Sequence, residues 1–428
     1  MAGLLGWRLF GMGALLALAS VGGPVLAAET EKQAASAWKV GTPIVTYWAG
    51  PTLTDAVAQQ MAEGGWNLAW CTEKTLDVAR RHGLRAQLQD GLLSPASLDD
   101  PARREKLDAL VARVRTHPAL YCYYITDEPS APAFPALGRL VAYLRQRDPA
   151  HLAYINLFPT YANNKQLGTK GDTVTAYREH LRQYVDVVKP SLLSYDHYQL
   201  AKAGDNEQYF LNLAMVRQAA QQAGVPFLHI VQACTWTPSM RVPTGEEMRY
   251  LVYTTLAYGA QGISYYVYCH PGHTGGIALA DGTPTPIYHA LKLLNREFVA
   301  IASELQPLRW LEAYHAGMTP LGAEPLARDS PFRLDAPIAP ITHKRLERVK
   351  GILLGLFGPG GKGQPDKPTH VLVVNLDYQT AAVTSLVGPA NLETFDATSG
   401  KWSAAAGNRV ELRLPPGGGI LVRTAGGK

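Results

Sequence analysis

Cysteine is scarce, with Cys71, Cys122, Cys234 and Cys269 the only four in 428 residues. Their spacings match no zinc pattern, and so few cannot build the disulfide framework of a small exported domain. They are expected as buried free thiols; Cys234 and Cys269, read as ending neighbouring strands, are a pair that could bond. An excess of charge is also lacking. The formal net charge is only +5, and no basic cluster has the density that nucleic-acid binding needs. Long apolar runs are absent beyond the first residues. There, Arg8, the apolar run from Leu9 to Val21 and the small residues Val25, Ala27 and Ala28 have the layout of a secretory signal peptide, assigned to residues 1–27. The mature chain is therefore expected to be secreted or periplasmic, with no segment crossing a membrane after cleavage.

What the chain has is apolar material, 47% of its residues, enough for a large core. Its length fits a barrel of roughly 250 residues plus a smaller module. After a polar linker, short apolar runs alternate with longer amphipathic ones. Eight strands are predicted, at Ile44 to Trp48, Trp66 to Cys71, Leu84 to Asp90, Leu120 to Glu128, His151 to Phe158, Leu192 to Tyr198, Phe227 to Trp236 and Gly262 to Cys269. Helical periodicity fills the gaps, with start signals such as Thr244-Gly-Glu-Glu and a stop at Ala223-Gly224-Val-Pro. Eight alternations with short connections predict a (β/α)8 barrel over residues 37–307. From Leu308 the helical pattern fades. Runs at Gly351 to Phe357, His370 to Leu376, Leu392 to Ala397 and Val410 to Leu414, separated by Gly- and Pro-rich turns, predict a C-terminal antiparallel β-sandwich over 308–428. Gly358 to Pro368 reads as a loop within it, and the sandwich is expected to cover an apolar flank of the barrel.

In such a barrel the chemistry lies at the C-terminal ends of the strands. The fourth predicted strand, Tyr-Cys-Tyr-Tyr-Ile-Thr, stops at Asp127-Glu128-Pro129. Glu128 is the candidate general acid, its pKa raised by an apolar wall and by the neighbouring charge of Asp127. The other strand ends offer Trp48, Asp90, Asn156, Tyr195, Asp196, His197, Tyr198, Gln232, Trp236 and Tyr266. Aromatic faces beside carboxylates and amides suit a carbohydrate, since rings stack on sugar C–H surfaces and polar groups bond hydroxyls. The bland readings are core packing for the aromatics and helix capping or ion pairing for the acids. Cys269-His-Pro-Gly-His273 has no supporting ligand set, so no metal or other cofactor is expected.

Thr126-Asp-Glu-Pro, Ser194-Tyr-Asp-His-Tyr, Ala257-Tyr-Gly-Ala-Gln-Gly-Ile-Ser-Tyr-Tyr and Leu279-Ala-Asp-Gly-Thr-Pro-Thr-Pro-Ile-Tyr resemble clan A, β-galactosidase-like (family 42-related) glycoside hydrolases. The tail, with Val371-Leu-Val-Val-Asn-Leu-Asp and Leu414-Pro-Pro-Gly-Gly-Gly-Ile-Leu-Val, is similar to the β-domain that accompanies many of them. The resemblance implies an O-glycosyl hydrolase with a carbohydrate substrate and Glu128 as acid. The chain departs from that clan in having Asp127-Glu128 where Asn-Glu is usual, and Ile230-Val-Gln-Ala-Cys-Thr-Trp, without an acid, where the nucleophile belongs. Two completions fit. In one, Asp127 orients a substrate acetamido group that serves as internal nucleophile, as in hexosaminidase barrels with an Asp-Glu-Pro motif. In the other, Asp196 activates water across the cleft, which needs carboxyl groups about 6.5–9.5 Å apart. The rival expectation is a catalytically silent carbohydrate-binding barrel.

Overall fold

The computed structural model describes residues 43–359 and 367–426. The expected signal peptide and most of the 358–368 loop lie outside the described residues. Eight parallel strands form one sheet: β1 (Ile44–Trp48), β2 (Leu68–Cys71), β3 (Arg85–Leu88), β4 (Leu120–Asp127), β5 (Leu152–Leu157), β6 (Leu193–His197), β7 (Phe227–Gln232) and β8 (Gly262–Tyr266). Their order, β1-β8-β7-β6-β5-β4-β3-β2, curls the sheet until its two end strands meet. Side chains stitch much of the β1/β2 seam. Asn67 Oδ1 accepts Val45 N–H at 2.9 Å and its Nδ2 donates to Pro43 O, Thr46 Oγ1 donates to Leu68 O, and Trp70 Nε1 donates to Tyr47 O at 2.7 Å.

Helices alternate with the strands: α1 (Asp55–Glu63), α2 (Leu76–Arg81), α3 (Pro101–Val114), α4 (Phe134–Arg147), α5 (Thr173–Gln183), α6 (Tyr209–Ala223), α7 (Gly245–Ala257) and α8 (Pro286–Leu305). Their ends follow the predicted signals. Thr244 caps α7 in a reciprocal box with Glu247, and Gly224 ends α6 at φ +66°, a backbone region glycine enters without a Cβ penalty. Strand alternation sorts the core into two layers. Ile44, Leu68, Cys122, Leu152, Tyr154, Leu192, Leu228 and Ile230 fill the barrel interior, while their neighbours pack outward on the helices.

From Leu308 these strands pair antiparallel: β9 (Leu308–Gly317), β10 (Gly351–Pro359), β11 (His370–Asn375), β12 (Ala382–Val387), β13 (Leu392–Asp396), β14 (Lys401–Ala404), β15 (Arg409–Leu414) and β16 (Gly419–Thr424), with the short Glu324–Pro325 segment parallel to β9. The larger sheet runs β9-β10-β11-β16-β13-β14, with Glu324–Pro325 on its β9 edge; the smaller joins Arg333–Leu334, β12 and β15. Ile352, Leu354, Val371, Val373 and Val422 face Leu334, Leu386, Leu412 and Leu414 across the sandwich. The alternate residues Leu353, Phe357, Leu372, Val374 and Leu421 join the main core around α7 and α8. The sandwich thus covers the helical flank of the barrel. Contact there is close: a Cβ on Gly355 would lie 2.3 Å from the Ala257 carbonyl oxygen. Gly355→Ala is expected to destabilise the protein by about 1–3 kcal/mol, because backbone must shift to admit the methyl. Chemical denaturation measures this, and an unchanged midpoint would refute the close contact.

Candidate active site

Three carboxyl groups gather at the C-terminal ends of β4 and β6. Simple alternation along β4 would turn Asp127 and Glu128 to opposite faces. A bulge between Tyr124 and Thr126 changes the register, so that Asp127 pairs with Asn156 of β5. Glu128 follows at φ +42°, a left-handed conformation uncommon for a non-glycine residue, with its N–H bonded to Asn156 O at 2.9 Å. The bulge and the left-handed turn together let adjacent acids serve one site.

Asn156 is the hub between them. Its Nδ2 donates to Asp127 Oδ1 at 3.0 Å and to Asp196 Oδ1 at 2.9 Å, and its Oδ1 accepts Ser194 Oγ at 3.0 Å. Ser194 in turn is hydrogen-bonded to Tyr154 OH at 2.6 Å. The Asp196 and Glu128 carboxyls lie within hydrogen-bonding reach of each other. Burial raises the Asp196 pKa well above the usual carboxylate range, and the charge of Glu128 adds to it. Burial, followed by the charge of Asp127, raises Glu128 to about 7. Asp127 is raised by burial too, against the hydrogen bond from Asn156. By surface area Asp127 itself is exposed, at the mouth of a cavity.

That cavity, about 660 Å³, is walled by Trp48, Trp70, Tyr124 and Asp127 and rimmed by Thr72, Thr75, Gln89, Cys269 and His270. Trp48 meets Trp70 edge-on at 5.0 Å and Tyr124 at 5.8 Å. Tyr198, Trp236 and Tyr266 form a second aromatic group, with ring centroids 4.8–5.0 Å apart. Burial raises the pKa values of Tyr198 and Tyr266, and the charges of the acids add to it, which places both rings in their field. Trp70, Tyr124 and Tyr161, whose hydroxyl accepts the Tyr198 N–H, also belong to the site and were not singled out from sequence. Trp70 and Tyr124 follow from inward alternation on β2 and β4; Tyr161 lies on a loop and carries no such signal.

Four expected substrate contacts lie elsewhere. Tyr195 and His197 alternate with Ser194 and Asp196, so they point out of the barrel. Tyr195 stacks on His229 at 4.5 Å, and His197 Nδ1 meets Asn212 Oδ1 at 2.9 Å. Gln232 is buried, its amide bonded to Leu200 O, Cys234 O, Arg241 O and Leu200 N–H. It ends β7 four residues before the predicted limit and holds the following loop. Asp90 is spent on a turn, accepting Leu92 N–H at 2.8 Å. Asn156 holds carboxylates where a substrate hydroxyl was expected. Asp196 lies in the barrel interior, bonded to Asn156 and beside Glu128. All four cysteines are free, Cys269 half-buried and the others buried. Among the described residues no three potential ligands converge on a metal site, and no helix is long and apolar enough to cross a membrane.

This architecture is a (β/α)8 TIM barrel followed by an antiparallel β-sandwich. Among solved structures the chain is similar to a family 5 glycoside hydrolase from Bacteroides vulgatus, at 11% identity over 89% of this chain and 88% of that one, with a TM-score of 0.51. It is also similar to a β-galactosidase from Marinomonas ef1 (12% identity, 63% of this chain, 62% of that one, TM-score 0.45) and to a family 5 mannosidase from Rhizomucor miehei (12%, 63%, 95%, 0.42). The chain thus matches less than two thirds of that β-galactosidase. At these identities the likeness is one of fold. No family model matches the chain, and no curated protein matches it.

Proposed function

We propose that the protein is an exported glycoside hydrolase that cleaves a β-linked 2-acetamido sugar with assistance from the substrate. The observation that carries this reading is the cluster of Asp127, Glu128 and Asp196, joined through Asn156 beside an aromatic-walled cavity. Glu128, with a pKa near 7, delivers its proton to the leaving oxygen. As the glycosidic C–O bond breaks, the acetamido carbonyl oxygen bonds to the anomeric carbon, and Asp127 accepts the amide N–H and stabilises the positive charge that develops. Water deprotonated by Glu128 then opens the cyclic intermediate. Asp196 is a positioning residue that keeps a proton and holds the Glu128 carboxyl in place. The scheme needs no cofactor. Within it, residues 37–307 form the catalytic unit and 308–428 its support.

Hydrolysis of aryl β-glycosides with and without the 2-acetamido group tests the proposal. Turnover confined to acetamido sugars is the expected result, and equal turnover of plain hexosides would remove the internal nucleophile. A catalytically silent sugar-binding barrel is the second reading, favoured by the acid-free end of β7, where Gln232 is consumed by backbone contacts. Saturable binding without turnover of any member of the panel would select it.

A further inference from the structure

The C-terminal sheets touch the barrel at both of its ends, and the two contacts differ in kind. At the strand N-terminal end, Trp402 Nε1 of β14 donates to Glu304 Oε2 near the close of α8, at 3.0 Å. At the mouth, Tyr378, just after β11, donates to the buried carboxylate of Asp205, its hydroxyl 2.9 and 3.1 Å from the two oxygens. Asp205 also accepts Arg241 Nη2 at 3.1 Å, and Arg241 Nη1 is paired with the buried Glu247 at the start of α7. One guanidinium thus lies between two buried carboxylates, and the phenol supplies a further donor to one of them.

Asp205 and Arg241 belong to the loops that carry two of the aromatic residues beside the acids. Asp205 is in the loop after β6, which begins with Tyr198; Arg241 is in the loop after β7, which holds Trp236. The loops are pinned to each other. Arg241 Nε donates to Ala201 O at 3.2 Å, Arg241 N–H to Leu200 O at 3.2 Å, and Ala201 bridges Met240. The C-terminal region grips the same place a second time. Asp205 N–H donates to Leu346 O, and a Cβ on Gly204 would lie 2.0 Å from that oxygen.

We propose that the C-terminal sandwich anchors the two aromatic loops of the active site, with Tyr378 as the positioning residue that acts through Asp205 and Arg241. In substrate terms this rests on the glycosidase reading; as a statement about loop order it does not. Removing the phenol hydroxyl leaves Asp205 with one donor fewer in a buried setting, where an unsatisfied acceptor is costly. The loops then loosen, and the ring pair Tyr198 and Trp236 no longer waits preformed for a sugar, which weakens binding more than chemistry.

Hydrogen exchange of the full mature chain, followed by mass spectrometry, reads loop order without substrate. Tyr378→Phe is expected to speed exchange across residues 198–206 and 233–243 at least fivefold and to leave the barrel strands unchanged. Asp205→Asn should act in the same direction. Trp402→Phe, which removes the remote contact, should leave both loops at the wild-type rate. On a hydrolysed aryl glycoside, Tyr378→Phe should raise KM several-fold with kcat within about twofold. Wild-type exchange in Tyr378→Phe, or equal loosening by Trp402→Phe, would overturn the proposal. Loops that loosen as expected in a protein that turns over no glycoside would retain the anchor and refute the glycosidase reading alone.

Discussion

Glu128→Gln is expected to lower kcat on a phenyl β-glycoside by at least a hundredfold, within the range of about 10² to 10⁴ that positioned proton transfer supplies. Glutamine keeps the size of the side chain and can still meet Asp196, but it has no proton to give. A leaving group acidic enough to depart unprotonated, such as dinitrophenolate, should lose much less. A loss below about tenfold on the phenyl substrate would end the assignment of Glu128 as the acid. The same substitution has a signature in stability. The Glu128 pKa is raised from 4.5 to about 7, so the carboxyl contributes its full stability below about pH 4.5 and loses it as the pH rises through 7. The glutamine variant has no such group to ionise. Its melting temperature should therefore gain on that of the wild type as the pH passes from 5 to 8.

Asp127→Asn is expected to cost about 10² to 10³ in turnover of an acetamido sugar, the usual consequence of removing a group that stabilises transition-state charge. It should also move the pH profile. Burial is the first cause of the raised Glu128 pKa, and the charge of Asp127 the second. Without that charge Glu128 ionises more readily, so the alkaline limb of the kcat/KM profile, near pH 7 in the wild type, should shift to lower pH. A limb that stays in place would show that Asp127 does not act on Glu128 electrostatically. Asp196→Asn is a useful contrast, because an amide at 196 can still donate to Glu128, and its effect should be the smaller one.

The barrel was legible because burial imposes its rhythm directly: eight apolar runs, each followed by an amphipathic segment, became β1–β8 and α1–α8. The site was legible only in part. Tyr195 and His197 stand at the same strand end as Asp196, yet period-two alternation turns them away from it, a fact already present in the order of the residues. The same rule points to Trp70 on β2. The placement of Asp127 beside Glu128 was not accessible in this way. It depends on a bulge near Ile125 and a positive φ at Glu128, and no local composition marks either. Gln232 shows a further limit, since an amide that fills its bonding capacity with loop carbonyls reads in sequence like one free to meet a ligand.

The seam between β1 and β2 gives Trp70 two duties. Its indole N–H closes the cylinder by bonding to Tyr47 O, while its ring forms part of the cavity wall. A guest lying against that ring presses on a clasp of the barrel, so occupancy of the cavity and the integrity of the cylinder share one side chain. Substituting Trp70 to widen the cavity would therefore also unfasten the sheet at the place where side chains do part of the work of a ladder.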